Sequence, residues 1–241
     1  MRPFRQELKY LVHHGVAERL QQRWARYLVR APFTDEYAVS PILSQYYDSP
    51  DLLFYQEKLA GVADRNKVRL RTYGYTRTPG VAGFIEIKQR VFDRIRKVRQ
   101  PIHNFRAGHL DPANWEFDDR TFRDAFLRLL ERHRLRPSAQ VFYLREAYQG
   151  AVEEDVRITW DRNLMGLYPG EKINRASLDD HSRYLMPETL VVLELKATHG
   201  FPRWAHEGIL AAELRQRTIP KYITAVEVLK MHEFADMGVY A

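Results

Sequence analysis

Asn66-Lys67-Val68-Arg69-Leu70-Arg71-Thr72-Tyr73-Gly74 puts Lys67, Arg69 and Arg71 on one side of a strand and Val68 and Leu70 on the other, because side chains alternate along an extended chain. Turned into an apolar core, each cation would need a partner, at a cost on the order of several kcal/mol apiece. The fold therefore depends on where that charged face points.

Neighbouring segments repeat the pattern. Arg5, Glu7 and Lys9 oppose Leu8 and Tyr10; Glu86, Lys88 and Arg90 oppose Ile85 and Ile87; Lys97 and Arg99 share a face. Arg145 opposes Phe142 and Leu144, Arg157, Thr159 and Asp161 oppose Val156, Ile158 and Trp160, and Glu194 and Lys196 oppose Leu193 and Leu195. An antiparallel sheet with one wet face would alternate in the same way. Wet faces, however, mix both signs with Ser, Thr and Gln, whereas these are dominated by Arg and Lys with isolated carboxylates. The bias points to a multivalent anion. It predicts an α+β fold in which a closed, eight-stranded antiparallel β-barrel turns its basic faces into a tunnel and packs amphipathic helices outside, closure also removing sheet edges.

The 241 residues are 45% hydrophobic and 12% aromatic, enough for a packed core, and carry a net charge of +7, which favours an anionic partner. They read as one domain over 1–241, since no linker, repeat or low-complexity stretch interrupts them. The absence of cysteine excludes disulfides and thiolate metal sites, and a reducing cytoplasmic setting is expected. No run of 18 or more apolar residues is present, and Met1-Arg2-Pro3-Phe4-Arg5 leads into a charged strand, so neither a membrane span nor a signal peptide is expected.

Helical spacing over Val16–Val29 places Leu20, Trp24, Tyr27 and Leu28 on one side. Strands are expected over 44–48, 67–73, 83–92, 94–101, 138–148, 155–161 and 190–198, with Thr78-Pro79-Gly80 and Gln149-Gly150 as turns. A short helix over Asp51–Leu59 closes at Gly61. Asp119 caps a helix to Arg134 with a stripe of Phe122, Ala125, Phe126, Leu129 and Leu130, and helices follow over 204–215 and 222–234. A loop joins Asn163 to about Glu188. Trp24, Phe126 and Trp204 are expected in the packing between sheet and helices.

At the charged segments the chain resembles the triphosphate tunnel metalloenzymes, and within them the VTC domain of polyphosphate polymerases, a CYTH-like group. The matching pieces are Glu7-Leu8-Lys9-Tyr10, Tyr46-Tyr47-Asp48-Ser49, Lys67 to Gly74, Glu86-Ile87-Lys88, Lys97-Val98-Arg99, Tyr143-Leu144-Arg145, the Arg157 strand, Glu194-Leu195-Lys196 and Lys221-Tyr222. The hydrolase and cyclase branch opens with Glu-x-Glu-x-Lys; Arg5 stands at the first of those positions here, as in the VTC branch. The family's Ser before Lys-Tyr is replaced by Pro220.

The resemblance implies transfer of the terminal phosphoryl group of a nucleoside triphosphate, ATP, to growing polyphosphate, with Mn2+ or Mg2+ as cofactor. It implies phosphate contacts from Lys9, Arg69, Arg71, Lys88, Arg145 and Arg157, and further substrate binding by Lys97 and by Lys221 of the C-terminal helix. The shared strand faces add Lys67, Arg99 and Lys196. Glu194 is the implied metal ligand, with Glu7 and Glu86 as second ligands or orienters of the lysines. A tri- or polyphosphatase and a non-catalytic module binding polyphosphate or pyrophosphate stay open beside the polymerase, and a membrane partner could receive product. Nucleic acid is not expected, because the basic faces carry few aromatic platforms. The nine His residues form no His-Glu-x-x-His motif, and no Gly-rich phosphate loop appears.

Overall fold

The computed structural model describes residues 6–31, 39–74, 83–92, 94–103, 112, 115–174, 176–179 and 181–236. Arg5 and the Thr78-Pro79-Gly80 turn lie outside them. The chain divides into two compact units, Met1–Ser40 with Tyr143–Leu164 and Met186–Pro220, and Pro41–Phe142 with Met165–Leu185 and Lys221–Ala241.

In the first unit β1 (Gln6–His13) pairs antiparallel with β9 (Leu190–Ala197), which pairs antiparallel with β8 (Arg157–Leu167). β7 (Arg136–Gly150) follows β8 in the strand order, with β2 (Leu28–Arg30) on its far end. Tyr10 and Val12 of β1, Ile158 and Trp160 of β8, and Leu193 and Leu195 of β9 are buried. They pack against α1 (His14–Trp24) through Ala17, Leu20 and Trp24, and against α4 (Arg203–Ala211) through Trp204 and Ala205. Full burial of each large apolar side chain contributes roughly 1.5–3 kcal/mol. The Trp24 indole lies 5.9 Å from that of Trp160 and donates to the Trp204 carbonyl at 3.2 Å.

In the second unit the order is β7, β3 (Val39–Asp48), β4 (Arg65–Tyr73), β5 (Gly83–Val91) and β6 (Arg94–Ile102). Val68, Leu70, Ile85 and Ile87 share the buried face. Against it pack Phe54 of α2 (Leu53–Leu59), Trp115, and Phe122 and Phe126 of α3 (Arg120–His133). Asp119 caps α3 by accepting from the Phe122 N–H at 2.9 Å. Ala125 is exposed, so the buried stripe is narrower than the helical spacing predicts. α5 (Lys221–Asp236) completes the unit.

In both units, then, helices cover the apolar strand faces and leave the charged faces to the other side. Among the described residues the closed eight-stranded barrel is not found. Nine strands are described, and their ladders form an open path ending at β1 and β6. Each end is protected in its own way. Arg217 N–H donates to the Lys9 carbonyl at 2.8 Å along β1, while β6 carries four cations and Pro101, which has no donor to offer a new strand.

Other differences have local causes. The helix expected to Val29 stops at Trp24, continues as a 3-10 turn over Ala25–Tyr27, and gives way to β2 paired with Tyr148–Gly150. Gln149 and Gly150 remain in β7, the turn following over 151–156. Residues 163–167, expected as loop, extend β8, where Leu164, Met165 and Leu167 are all buried.

Candidate functional site

Cross-strand register organises the charged face of the second unit into rows. Lys67 stands opposite Lys88, and Lys88 opposite Lys97; one row along, Arg69 stands opposite Glu86, and Glu86 opposite Arg99. Tyr46 of β3 joins the second row through Arg69, and Ser44 stands opposite Arg71.

Glu86 is the electrostatic centre of this face. It is 3% exposed and accepts from Arg69 Nε at 2.7 Å and Lys97 Nζ at 3.2 Å, with Arg71 Nη1 and Arg99 Nε each at 3.9 Å. Burial alone would raise its pKa, but Arg69, Arg71 and Lys97 outweigh that and hold the carboxyl well below its usual range. It is an ionised anchor that fixes several cations at once.

Beside it, Tyr46 is buried, its hydroxyl accepting from Arg69 Nη1 at 3.1 Å and its ring 4.7 Å from Lys67 Nζ. Burial raises the phenol's pKa, yet Lys67, Arg69 and Arg71 together bring it down to about 7. Burial in turn pulls Lys67 down to about 8. Arg99 donates to the Tyr73 hydroxyl at 3.0 Å and lies 3.8 Å over the Phe84 ring, an orientation that holds the guanidinium plane in place. Lys88 is exposed.

Lys221 opens α5. The next residue, Tyr222, donates to Asp48 Oδ2 at 2.6 Å and lies 4.9 Å, ring to ring, from Tyr46. Asp48 is fully buried and also accepts from Ser49 N and Phe54 N at 2.8 Å and Tyr55 N at 3.0 Å. One carboxylate thus caps α2 and ties down the first turn of α5. Pro220 directly precedes that turn, a position proline tolerates because the first helical N–H groups lack intrahelical partners.

The first unit has its own charged face, of mixed sign. Glu7, Lys196 and Arg157 form one row, and Lys9, Glu194 and Thr159 the next. Glu194 is 6% exposed; it pairs with Lys196, and its Oε2 is 3.9 Å from Arg145 Nη2. Burial opposes its ionisation, but Lys196, Lys9 and Arg145 prevail and hold its pKa far below the usual carboxylate range. Arg145 is gripped by Asp161 in a two-point fork, Nε to Oδ1 at 2.6 Å and Nη2 to Oδ2 at 2.7 Å, and lies 5.1 Å from the Tyr143 ring. Burial disfavours the charged guanidinium, but Asp161 overrides this and the pKa is raised. Lys9 contacts Glu7, and Lys196 Nζ is 3.9 Å from Glu7 Oε2. The Thr159 hydroxyl, at the β8 end of the second row, is buried with no hydrogen-bond partner among the described residues.

Against known proteins, the VTC domain family matches residues 4–230. The chain belongs to the VTC domain family. No curated protein sequence matches it. Among solved structures, a protein described as a putative adenylate cyclase from Bacillus halodurans is similar at 14% identity over 88% of this chain and 91% of that one, with a TM-score of 0.51. Another so described, from Vibrio parahaemolyticus, aligns at 13% identity over 95% and 99%, with a TM-score of 0.46. The first likeness concerns the fold. Family membership makes the chain a phosphate-handling protein of the tunnel-fold class.

In this VTC domain the sequence-derived residues fall into two groups: Lys67, Arg69, Arg71, Glu86, Lys88, Lys97, Arg99 and Lys221 in the second unit, and Glu7, Lys9, Arg145, Arg157, Glu194 and Lys196 in the first. The structure adds Tyr46, Asp48, Asp161 and Tyr222. Asp161 shares its face with Arg157 by plain alternation, and Tyr46 and Asp48 alternate with the buried Tyr47, so parity along β3 and β8 was the available signal. Among the described residues no group of three or more His, Asp or Glu side chains stands together as a ready metal cage.

Proposed function

We propose that this VTC domain is an ATP-dependent polyphosphate polymerase. A terminal polyphosphate oxygen attacks the γ-phosphorus of the nucleoside triphosphate, the bond to the β,γ-bridging oxygen breaks, and the diphosphate leaves. Such transfer needs mainly positioning and neutralisation of charge, which fixed cations supply without a covalent nucleophile.

The observation that carries this reading is the row Lys67, Lys88, Lys97. Like charges directly opposite on neighbouring strands destabilise a sheet, so the row favours a ligand of repeated negative charge. Membership of the VTC family supports the choice of polyphosphate. In this reading Lys9, Arg69, Arg71, Lys88, Arg145 and Arg157 contact the reacting phosphates, and Lys67, Lys97, Arg99, Lys196 and Lys221 hold the rest of the substrate. Glu86 and Glu7 orient the cations around them.

A divalent ion, Mn2+ or Mg2+, fits Glu194 in one specific sense. Mg2+ is commonly held by one or two carboxylates with substrate phosphates completing its shell, rather than by an all-protein cage. Glu194 is a deprotonated hard-oxygen donor of that kind. The ion would neutralise phosphate charge there. Among the described residues no helix is long and apolar enough to cross a membrane; ATP as substrate is in keeping with a cytoplasmic setting.

The test is incubation of purified protein with ATP and Mn2+, followed by separation of acid-labile polyphosphate from orthophosphate. Metal-dependent polyphosphate, abolished by Glu194→Gln and by Arg69→Ala, is expected. Orthophosphate as the sole product would replace synthesis with hydrolysis, and binding without turnover would leave a polyphosphate-binding module.

A further inference from the structure

We infer that the end of the second unit formed by Phe92 and the adjoining ends of β5 and β6 docks on an anionic lipid bilayer surface. Phe92 is 68% exposed, Ile95 56% and Val91 51%. Their exposure is held in place. Phe92 adopts a left-handed backbone conformation, φ 52°, that non-glycine residues seldom take. Two hydrogen bonds fix it: its N–H donates to Asp64 Oδ1 at 3.1 Å, and its carbonyl accepts from Arg90 Nε at 2.7 Å.

A second segment reaches the same end. Arg65 stands opposite Arg90 in register and donates through Nη1 to the Val62 carbonyl at 2.7 Å. Val62 and Leu59, on the connection from α2, are exposed as well. Lys58 is near enough to Arg65 and Arg90 that, after burial, these guanidiniums help to lower its pKa.

Apolar side chains are thus interleaved with Lys58, Arg65, Arg90, Arg94 and Arg96. Five cations beside the carboxylate of Asp64 leave the patch strongly basic around apolar tips, which favours an anionic partner. This suits a bilayer surface, where apolar tips enter the boundary between headgroups and acyl chains and cations meet lipid phosphates and carboxylates. None of the residues assigned to phosphate belongs to this set: Arg65 and Arg90 lie one row beyond Lys67 and Lys88, and Arg94 and Arg96 alternate to the other face of β6 from Lys97 and Arg99.

The test is flotation of the full chain with vesicles of phosphatidylcholine alone and of phosphatidylcholine mixed with phosphatidylserine. Binding only to the mixed vesicles, weakened by salt, is expected. Phe92→Ser with Ile95→Ser leaves the charge unchanged and should weaken it about tenfold, and Arg94→Gln with Arg96→Gln about thirtyfold. Both variants should keep the wild-type melting temperature and wild-type polyphosphate affinity. Equal binding to phosphatidylcholine alone, or undiminished binding by the serine variant, overturns the proposal. So does displacement of the wild type by excess polyphosphate, which would assign vesicle binding to the phosphate face. A wild-type oligomer that ignores vesicles and dissociates in the serine variant would make the patch a protein interface, and also overturns it.

Discussion

Arg69 and Glu86 face each other across β4 and β5, with the guanidinium Nε 2.7 Å from a carboxylate that is 3% exposed. The pair is one edge of a cluster in which Lys97, Arg71 and Arg99 share the same carboxylate. Glu86→Gln removes the common anion and leaves the cations facing one another, so it should destabilise the fold by about 3 kcal/mol, the scale for breaking a buried pair. Urea denaturation measures this. Added polyphosphate should recover part of the loss, because a ligand bound only by the native state stabilises it in proportion to RT ln(1 + [L]/Kd). A loss below about 1 kcal/mol would show that the cations do not depend on Glu86.

Tyr46 and Lys67 give the fold a pH dependence above neutrality. Both native pKa values are depressed, to about 7 and about 8, so between these values and the unfolded ones the unfolded chain binds more protons. Stability from the pair therefore rises with pH from about 7 to about 10 and is lost as pH falls through the native values. Tyr46→Phe should cost about 1–2 kcal/mol more at pH 9 than at pH 6. Tyrosinate absorbance should titrate one group near neutrality in the wild type and none in the variant. A lowest tyrosine transition near 10 would contradict this.

Much of the architecture is legible because strands with one packed face must alternate. Val68 and Leu70 against Arg69 and Arg71 announce both the strand and the side its helices take, and Asp119 marks the start of α3 by its chemistry. Three features lacked such a signal. β2 is too short for any period, and its pairing with Tyr148–Gly150 is settled by residues distant in sequence. The end of β8 is buried on both faces at Leu164, Met165 and Leu167, so alternation disappears where the strand continues. Alternation also says which face is charged but not whether the first and last strands meet, so the open path was beyond its reach. Within the site, the basic residues identified themselves by sign. Tyr46 and Asp48 did not, since an aromatic and a lone acid in Tyr46-Tyr47-Asp48 read equally well as core and turn.

Gly208 of α4 lies against Trp24 so closely that an added Cβ would sit 2.5 Å from the indole nitrogen and 2.7 Å from two ring carbons. Trp24 is wholly buried between α1, β8 and α4 and has little room to move. Alanine normally favours a helix over glycine by up to about 1 kcal/mol, but here the overlap should win. Gly208→Ala is expected to destabilise by about 1–3 kcal/mol, the range for overpacked cores, with a shift in tryptophan emission. A stabilised variant would mean that the α1–α4 contact yields more readily than its geometry indicates.

Tyr222 joins the two helices that flank Asp48, and its phenol is driven far above its ordinary pKa by burial and then by the carboxylate's charge. Tyr222→Phe removes the 2.6 Å donor and leaves Asp48 Oδ2 with the Tyr55 N–H. The loss of a charged hydrogen bond at a fully buried carboxylate should cost about 1–3 kcal/mol in denaturant titrations. Lys221 is the preceding residue on the same helical turn, so the loosened anchor should also weaken polyphosphate binding several-fold, measured by calorimetry under conditions where the variant stays folded. Lys221→Met separates the two effects. It should reproduce the weaker binding without the stability loss, because it removes the ammonium and leaves the Tyr222–Asp48 bond in place. Wild-type affinity in both variants would exclude Lys221 from the phosphate-binding set.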